Sequence, residues 1–239
     1  MRMPAACLFD LDGLLLDTEP LHARAWQQAA QHFGLTLEPD QLLGLRGRRR
    51  FDCAEQVRQW LRAAGLTPPS VEALLGVRQP IAEVLLPGAR PMAGAAQLVQ
   101  TLAQLGLPMA LVTSSSSTAV QRKAAPHPWL AVITLRVYGD DPELAAGKPA
   151  PDPYCLAAER LGVSAEQCWA FEDSIAGARS AAGAGCRVHV LLPPETPWAA
   201  ELRPQFPQGC VVLESLEPLA QQLAAELSTD GSAQNRGDL

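Results

Sequence analysis

Asp10 and Asp12 stand two residues apart at the end of a short apolar run, Ala5-Ala6-Cys7-Leu8-Phe9. Such a run reads as a buried strand. Side chains two apart on an extended chain point the same way, so both carboxylates leave the strand together. Gly13 then lets the backbone turn sharply. Carboxylates held that close repel unless they share a cation. The pair suits a divalent ion bound through oxygen, with one carboxylate left to attack an electrophile. Asp and Gly after a strand are also ordinary turn chemistry. The catalytic reading therefore depends on partners elsewhere in the chain.

Three stretches supply such partners. Val112-Thr113-Ser114-Ser115-Ser116 closes a second apolar run. Hydroxyls and amides at a helix start form a cradle for an anion; Ser and Thr also serve there as plain N-caps. Gly147-Lys148-Pro149-Ala150-Pro151-Asp152 precedes a helical pattern, and its prolines stiffen the approach and fix where Lys148 points. A lysine ammonium is a compact charge suited to a phosphate or to an aspartate; the alternative is a solvated loop lysine. The chain has only two lysines, Lys123 and Lys148. Phe171-Glu172-Asp173-Ser174 ends a further run with a second acidic pair, again just before a helix. Negative charge at a helix start is favourable in its own right, so capping competes with ligation there.

The elements that must position these residues follow from periodicity. Strands are predicted at 5–9, 109–113, 131–135, 168–171, 186–192 and 210–213. Helices are predicted near 92–105, 116–125, 151–161, 175–183 and 216–227. Such alternation argues for a parallel sheet with helices on both faces. Ligands of open parallel sheets bind beyond the carboxyl ends of the strands. Asp10, Asp12, Thr113, Glu172 and Asp173 all fall on that rim. Between about 20 and 86 the alternation breaks into helices at 20–33, 39–44, 50–64 and 70–86. Trp26, Ala29, Ala30 and Phe33 repeat there at helical spacing and suit one buried face. This reads as a helical subdomain inserted after the first strand, with joints at Gly13 to Asp17 and at Leu86-Pro87-Gly88. The expected division is a core of 1–16 and 88–228, an insertion of 17–87, and a polar flexible tail at 229–239.

The bulk composition excludes several classes. With 239 residues and 48% apolar side chains, the chain can build a sizeable core. A net charge of −6 argues against a nucleic-acid binder. No apolar run approaches the ~18 residues of a membrane span. With an apolar strand run beginning at Ala5, no signal peptide is expected. Six cysteines without metal spacing read as structural thiols of a reducing cytoplasm.

Taken in order, the D-x-D-G, T-S, K-P and E-D groups resemble the haloacid dehalogenase (HAD) superfamily of phosphohydrolases over residues 5–190. More closely, the chain is similar to the beta-phosphoglucomutase-like branch. His22, Trp26, Gly47 and Arg50 fit that branch's cap positions, and Arg78 sits where a cationic residue is common. The resemblance implies an α/β fold, a Rossmann-like parallel-sheet core with an inserted small helical cap. It implies that Asp10 is a nucleophile forming an aspartyl-phosphate. Asp12 then protonates the leaving oxygen and deprotonates the attacking water. Mg²⁺ is held by Asp10, the Asp12 backbone carbonyl and Asp173, with Glu172 in or near its shell. Thr113, the Ser114 amide and Lys148 hold the phosphoryl group. Asp12 and the Glu172-Asp173 pair favour phosphate over carbon–halogen chemistry, because the founding dehalogenases use neither the second aspartate nor the metal.

The expected function is a Mg²⁺-dependent phosphatase of a small phosphorylated metabolite, with a sugar phosphate foremost. The alternative is a beta-phosphoglucomutase, and a third reading is a non-catalytic binding protein. No nucleic-acid or membrane partner is expected, and the chain is expected to be a monomer or weak homo-oligomer. In the cap, Arg46, Arg48, Arg49 and Arg50 form a basic patch. They are either a solvated helix start or an anchor for a second anionic group on the substrate. His22 is read as touching the leaving oxygen, tuning Asp12, or serving the cap's own structure.

Overall fold

The computed structural model describes residues 3–45, 50–196 and 199–234, with side chains described to residue 227. Among these the strands are β1 (Ala6–Phe9), β2 (Leu16–Asp17), β3 (Arg90–Pro91), β4 (Met109–Val112), β5 (Leu135–Val137), β6 (Cys168–Glu172), β7 (Arg187–Leu191) and β8 (Val211–Leu213). The α-helices are α1 (Glu19–His32), α2 (Pro39–Gly44), α3 (Arg50–Ala63), α4 (Val71–Leu85), α5 (Ala95–Gln104), α6 (Ser117–Ala124), α7 (Asp152–Leu161), α8 (Ile175–Gly183), α9 (Ala199–Leu202) and α10 (Glu217–Gln234). Two compact units result, Met1–Asp17 with Pro91–Leu239, and Thr18–Arg90.

The first unit is an α/β fold around a six-stranded sheet ordered β5-β4-β1-β6-β7-β8. Every neighbouring pair in it is parallel. Strands of such a sheet are covered on both faces, which is why β1, β4 and β6 read as unbroken apolar runs. Ala6, Leu8, Ala110, Val112 and Ala170 pack with Tyr154 and Ala157 of α7 and with Ala178 and Ala181 of α8. The alternate residues Phe9, Phe171 and His189 form a ring stack, with centroids 4.8 and 4.9 Å apart. Register sets Phe9 beside Leu111 on one flank and beside Phe171 on the other. The residues that follow these three strands therefore emerge side by side.

The second unit has its own core. Trp26, Ala29 and Ala30 of α1 pack with Cys53, Ala54, Val57 and Leu61 of α3 and Leu74 of α4. Phe33 lies partly buried against them. Helix starts are set locally. Glu38 and Gln41 make a capping box for α2, and the Ser70 hydroxyl accepts the Ala73 amide at 3.1 Å to open α4.

Three boundaries differ from the sequence pattern. The run at 131–135 begins inside a 3-10 turn, Pro128–Val132, and the strand begins only at Leu135. Pro128 presets the turn, while Leu130 and Ile133 anchor it by burial at 3% and 1% exposure. Apolar burial in a turn thus mimics a strand signal. The helix predicted from 92 starts at Ala95, since Arg90–Pro91 pair with Leu16–Asp17 in a two-stranded ribbon. Two-residue strands carry no periodicity to read. The last helix runs to Gln234, past the end of the predicted segment at 227. Among the described residues, no helix is long and apolar enough to cross a membrane.

Candidate active site

The sheet order reverses at β1, which lies between β4 on one side and β6 on the other. Crossover connections leave in opposite directions there and open a crevice at the strand ends. Asp10 follows β1, Thr113 follows β4, and Glu172 closes β6. The alternation of strand and helix thus delivers carboxylates and hydroxyls from distant segments to one rim.

Lys148 joins three of these segments. Its Nζ donates to Asp10 Oδ1 at 2.6 Å, to the Val112 carbonyl at 2.8 Å and to Glu172 Oε1 at 2.5 Å. Its side chain is 6% exposed, so the solvated-loop reading is excluded. Burial alone would pull the ammonium's pKa down. The Asp10 and Glu172 carboxylates overcome that and raise it, so Lys148 stays charged. Asp10 shows the opposite balance. Burial raises its carboxyl to about 7 against the lowering pull of Lys148, with Glu172 and Asp12 adding to the rise.

Glu172 is fully buried, and its two oxygens are in use. The Tyr154 hydroxyl donates to Oε1 at 2.6 Å and the Ser174 hydroxyl to Oε2 at 3.2 Å. Burial holds the Tyr154 phenol well above its ordinary pKa, with the Glu172 charge adding, so it remains a donor. Ser174 supplies the N-cap of α8 by accepting the Gly177 amide at 3.0 Å. Helix capping therefore belongs to Ser174, not to the Glu172-Asp173 pair. A Cβ on Gly177 would lie 2.0 Å from the Glu172 carboxylate, so the glycine makes room for the buried acid.

Oxygens of Asp10, Glu172 and Asp173 all lie within 4.8 Å of one another. Three hard oxygen donors at that separation fit an ion such as Mg²⁺ better than a soft transition metal. Gly13 is part of the fit. Its φ is +84°, and a Cβ there would lie 2.0 Å from Asp173 Oδ2. Only glycine combines that backbone with that approach.

The serine run divides its labour. Thr113 is buried, and its Oγ1 accepts the Ser115 amide at 3.1 Å. Ser115 Oγ donates to Asp12 Oδ2 at 2.9 Å. Ser116 caps α6. Ser117 donates to Asp140, through its amide to Oδ1 at 2.8 Å and its hydroxyl to Oδ2 at 3.2 Å. The Ser114 carbonyl lies close against Gly139, where a Cβ would come within 2.2 Å. One serine is thus a cap and another ties the loop to Asp12.

The second lysine was missed as a site residue. Lys123 Nζ donates to Asp12 Oδ2 and, at 2.9 Å, to Ser115 Oγ. Its side chain is 2% exposed. The available signal was a rare lysine three residues after Val120, on the apolar face of a short helix. Tyr154 was missed as well. Only the fold brings its hydroxyl to Glu172.

The cap residues are placed within the second unit. Arg78, 7% exposed, sets its guanidinium 5.0 Å from the Trp26 ring centre and 2.7 Å from His22 Nδ1. Burial lowers its pKa to about 10, with Arg50 pushing the same way, and it remains cationic at neutral pH. Arg50 is exposed at the start of α3, with NH1 3.5 Å from Gln79 Oε1 and its guanidinium over the Phe51 ring. Arg46, Gly47, Arg48 and Arg49 lie outside the described residues.

Comparison with known proteins agrees with this geometry. The haloacid dehalogenase-like hydrolase profile matches residues 4–185. A Drosophila melanogaster protein named a probable pseudouridine-5'-phosphatase is 34% identical over 200 residues, 81% of this chain and 83% of that one. The fructose-1-phosphate phosphatase YqaB of Escherichia coli K12 is 34% identical over 189 residues, 76% of this chain and 93% of its own. Beta-phosphoglucomutases are also among the relatives. A crystal structure of a HAD family hydrolase from Deinococcus radiodurans R1, with bound phosphate and sodium, is 28% identical with a TM-score of 0.72, covering 96% of this chain and 98% of that one. An acidic rim at the switch point of a parallel sheet, a buried lysine on its first aspartate and a matching profile lead to one assignment: the chain belongs to the haloacid dehalogenase-like hydrolase family.

Proposed function

We propose that the protein is a Mg²⁺-dependent phosphatase that hydrolyses small phosphomonoesters of primary alcohols through an aspartyl-phosphate. One observation carries the reading: Asp10 Oδ1 accepts from the Lys148 ammonium at 2.6 Å, and Asp10, Glu172 and Asp173 bring carboxylate oxygens within 4.8 Å of one another. An attacking carboxylate needs its charge offset, and the Lys148 ammonium together with an ion held by Asp10, Glu172 and Asp173 would do so. Pseudouridine 5'-phosphate and fructose 1-phosphate, the compounds named for two relatives, are both esters of primary alcohols.

In this reading Asp10 attacks phosphorus, and the phosphorus–oxygen bond to the alcohol breaks. Asp12 gives its proton to the departing alkoxide, then takes one from the water that hydrolyses the aspartyl-phosphate. Thr113, the Ser114 amide and Lys148 hold the phosphoryl oxygens and offset their charge. Asp10, Asp173, the Asp12 carbonyl and Glu172 would hold Mg²⁺, which when bound supplies positive charge against the same oxygens. Four carboxylates face two ammoniums at this rim. A divalent ion would offset negative charge there before a dianionic ester enters.

The test is phosphate release from a panel of fructose 1-phosphate, glycerol 3-phosphate, pseudouridine 5'-phosphate and beta-glucose 1-phosphate with Mg²⁺. Release from the primary esters supports the reading. Conversion of beta-glucose 1-phosphate to glucose 6-phosphate, primed by a bisphosphate and without net release, would replace it with the mutase. Inactivity on both, with Mg²⁺ present, would leave a binding protein.

Two further outcomes follow. Asp10 carries its proton below about pH 7 when no metal is bound. Mg²⁺ must then displace that proton, so its affinity falls by up to about tenfold per pH unit below 7 and levels off above. Calorimetric titration at about pH 6 and about pH 8 reads this directly. Equal affinities would mean that the ion does not engage Asp10. In the cap, we take Arg50 as the anchor for a second anionic group. Arg50→Ala is expected to raise KM about tenfold for bisphosphates and little for monophosphates. An equal rise on both classes would remove that role.

A further inference from the structure

We propose that Lys123 is a positioning residue for Asp12. With Ser115 it locks the Asp12 carboxylate against the phosphate-binding loop, in the orientation from which it passes protons to and from the substrate oxygen. The inference rests on the phosphatase reading and extends it to a residue outside its catalytic set.

The observations form a closed triangle. Lys123 Nζ donates to Asp12 Oδ2 and to Ser115 Oγ, and Ser115 Oγ donates to the same Asp12 oxygen. Both contacts fall on Oδ2, so they fix the plane in which the other oxygen of Asp12 lies. The Ser115 amide is itself bonded to Thr113 Oγ1 at 3.1 Å. Asp12 is thereby tied through Ser115 to the loop assigned to the phosphoryl group.

Burial argues that this placement is specific. Lysine is almost never fully buried unless it is paired. Lys123 is 1% exposed, and Asp12 is the carboxylate within salt-bridge reach of it. Its helix is opened by the Ser116 cap and held to Asp140 through Ser117. Its base therefore does not drift relative to the loop. The site thus gives each catalytic aspartate its own ammonium, Lys148 for Asp10 and Lys123 for Asp12. Both lysines of the chain are used this way. An acid/base group free to rotate loses rate steeply, because proton transfer needs hydrogen-bond distance in the transition state.

The experiment compares two leaving groups in wild type, Lys123→Met and Ser115→Ala, reading kcat/KM. Fructose 1-phosphate releases an alkoxide that needs a proton; p-nitrophenyl phosphate releases a phenolate that does not. Up to the first irreversible step, kcat/KM reports only formation of the aspartyl-phosphate. Lys123→Met is expected to lower kcat/KM for fructose 1-phosphate by about 100-fold, and by less than about tenfold for p-nitrophenyl phosphate. Ser115→Ala should show the same selectivity at smaller amplitude, and it keeps the test open if Lys123→Met does not fold. Lys123→Arg, which restores a cation, should recover part of the loss on fructose 1-phosphate. Equal losses on both esters, or a rise on fructose 1-phosphate, would overturn the proposal. If wild type hydrolyses neither ester with Mg²⁺, the phosphatase reading fails and takes the proposal with it. If wild type is active and the leaving-group ratio does not change, the proposal fails alone.

Discussion

Asp10→Asn is expected to fold and to lose at least about 10⁴-fold in turnover, the scale seen when a nucleophile is deleted. The amide is isosteric with the acid and still offers an oxygen to Lys148. It cannot readily form the acyl-phosphate bond. Initial rates with Mg²⁺ measure the loss, and residual turnover within tenfold of wild type would mean that another group attacks. The same variant carries a stability signature. Burial raises the Asp10 carboxyl from its ordinary value of 3.8 to about 7. Below 3.8 the group is protonated folded and unfolded, and burial costs nothing extra. Between the two values the folded state alone keeps the proton, and a penalty grows as pH rises. Above about 7 the penalty is complete. Asparagine has no such penalty. The metal-free variant should therefore be at least as stable as wild type at about pH 8, with the difference closing toward about pH 4. Thermal melts at the two pH values show whether it does.

Lys148→Met is expected to lower both stability and rate. The lysine is the shared cation of Asp10 and Glu172, and Glu172 has no exposure to solvent. Removing one partner of a buried ion pair leaves uncompensated charge and costs about 3–5 kcal/mol. Loss of a donor to the phosphoryl group adds a rate loss of about 10²–10³-fold. The stability loss has a sign in pH. Without the ammonium, which lowers it, the Asp10 carboxyl rises further and keeps its proton in the folded state. The variant is therefore weakest relative to wild type above pH 7, and the gap narrows as acid neutralises Asp10. Denaturant titration at about pH 5 and about pH 8, without Mg²⁺, measures the gap. A loss of the same size at both pH values would show that Lys148 acts by packing rather than by charge.

Much of the core site was legible because strand ends announce themselves. Asp10, Thr113 and Glu172 each close a short apolar run, and in a parallel sheet those ends must meet on one rim. The pattern is local and survives in one dimension. The 3-10 turn at Pro128–Val132 was not legible, since burial of Leu130 and Ile133 makes the same apolar signature as a strand. The ribbon of Leu16–Asp17 with Arg90–Pro91 was hidden for a different reason: its two halves are short and far apart in the chain.

Residue type and order along the chain were enough to announce an acidic strand-end site, a lysine for it, and a helical insertion after the first strand. Those features depend on local backbone preference and on period, and both are written into neighbouring residues. Pairing was another matter. That Lys148 spans Asp10 and Glu172, that Tyr154 and Ser174 occupy the two oxygens of Glu172, and that Lys123 reaches Asp12 emerge only once helices and strands are packed. Each joins positions far apart in sequence, and a buried charge finds its partner by proximity in space. No spacing rule along the chain encodes that.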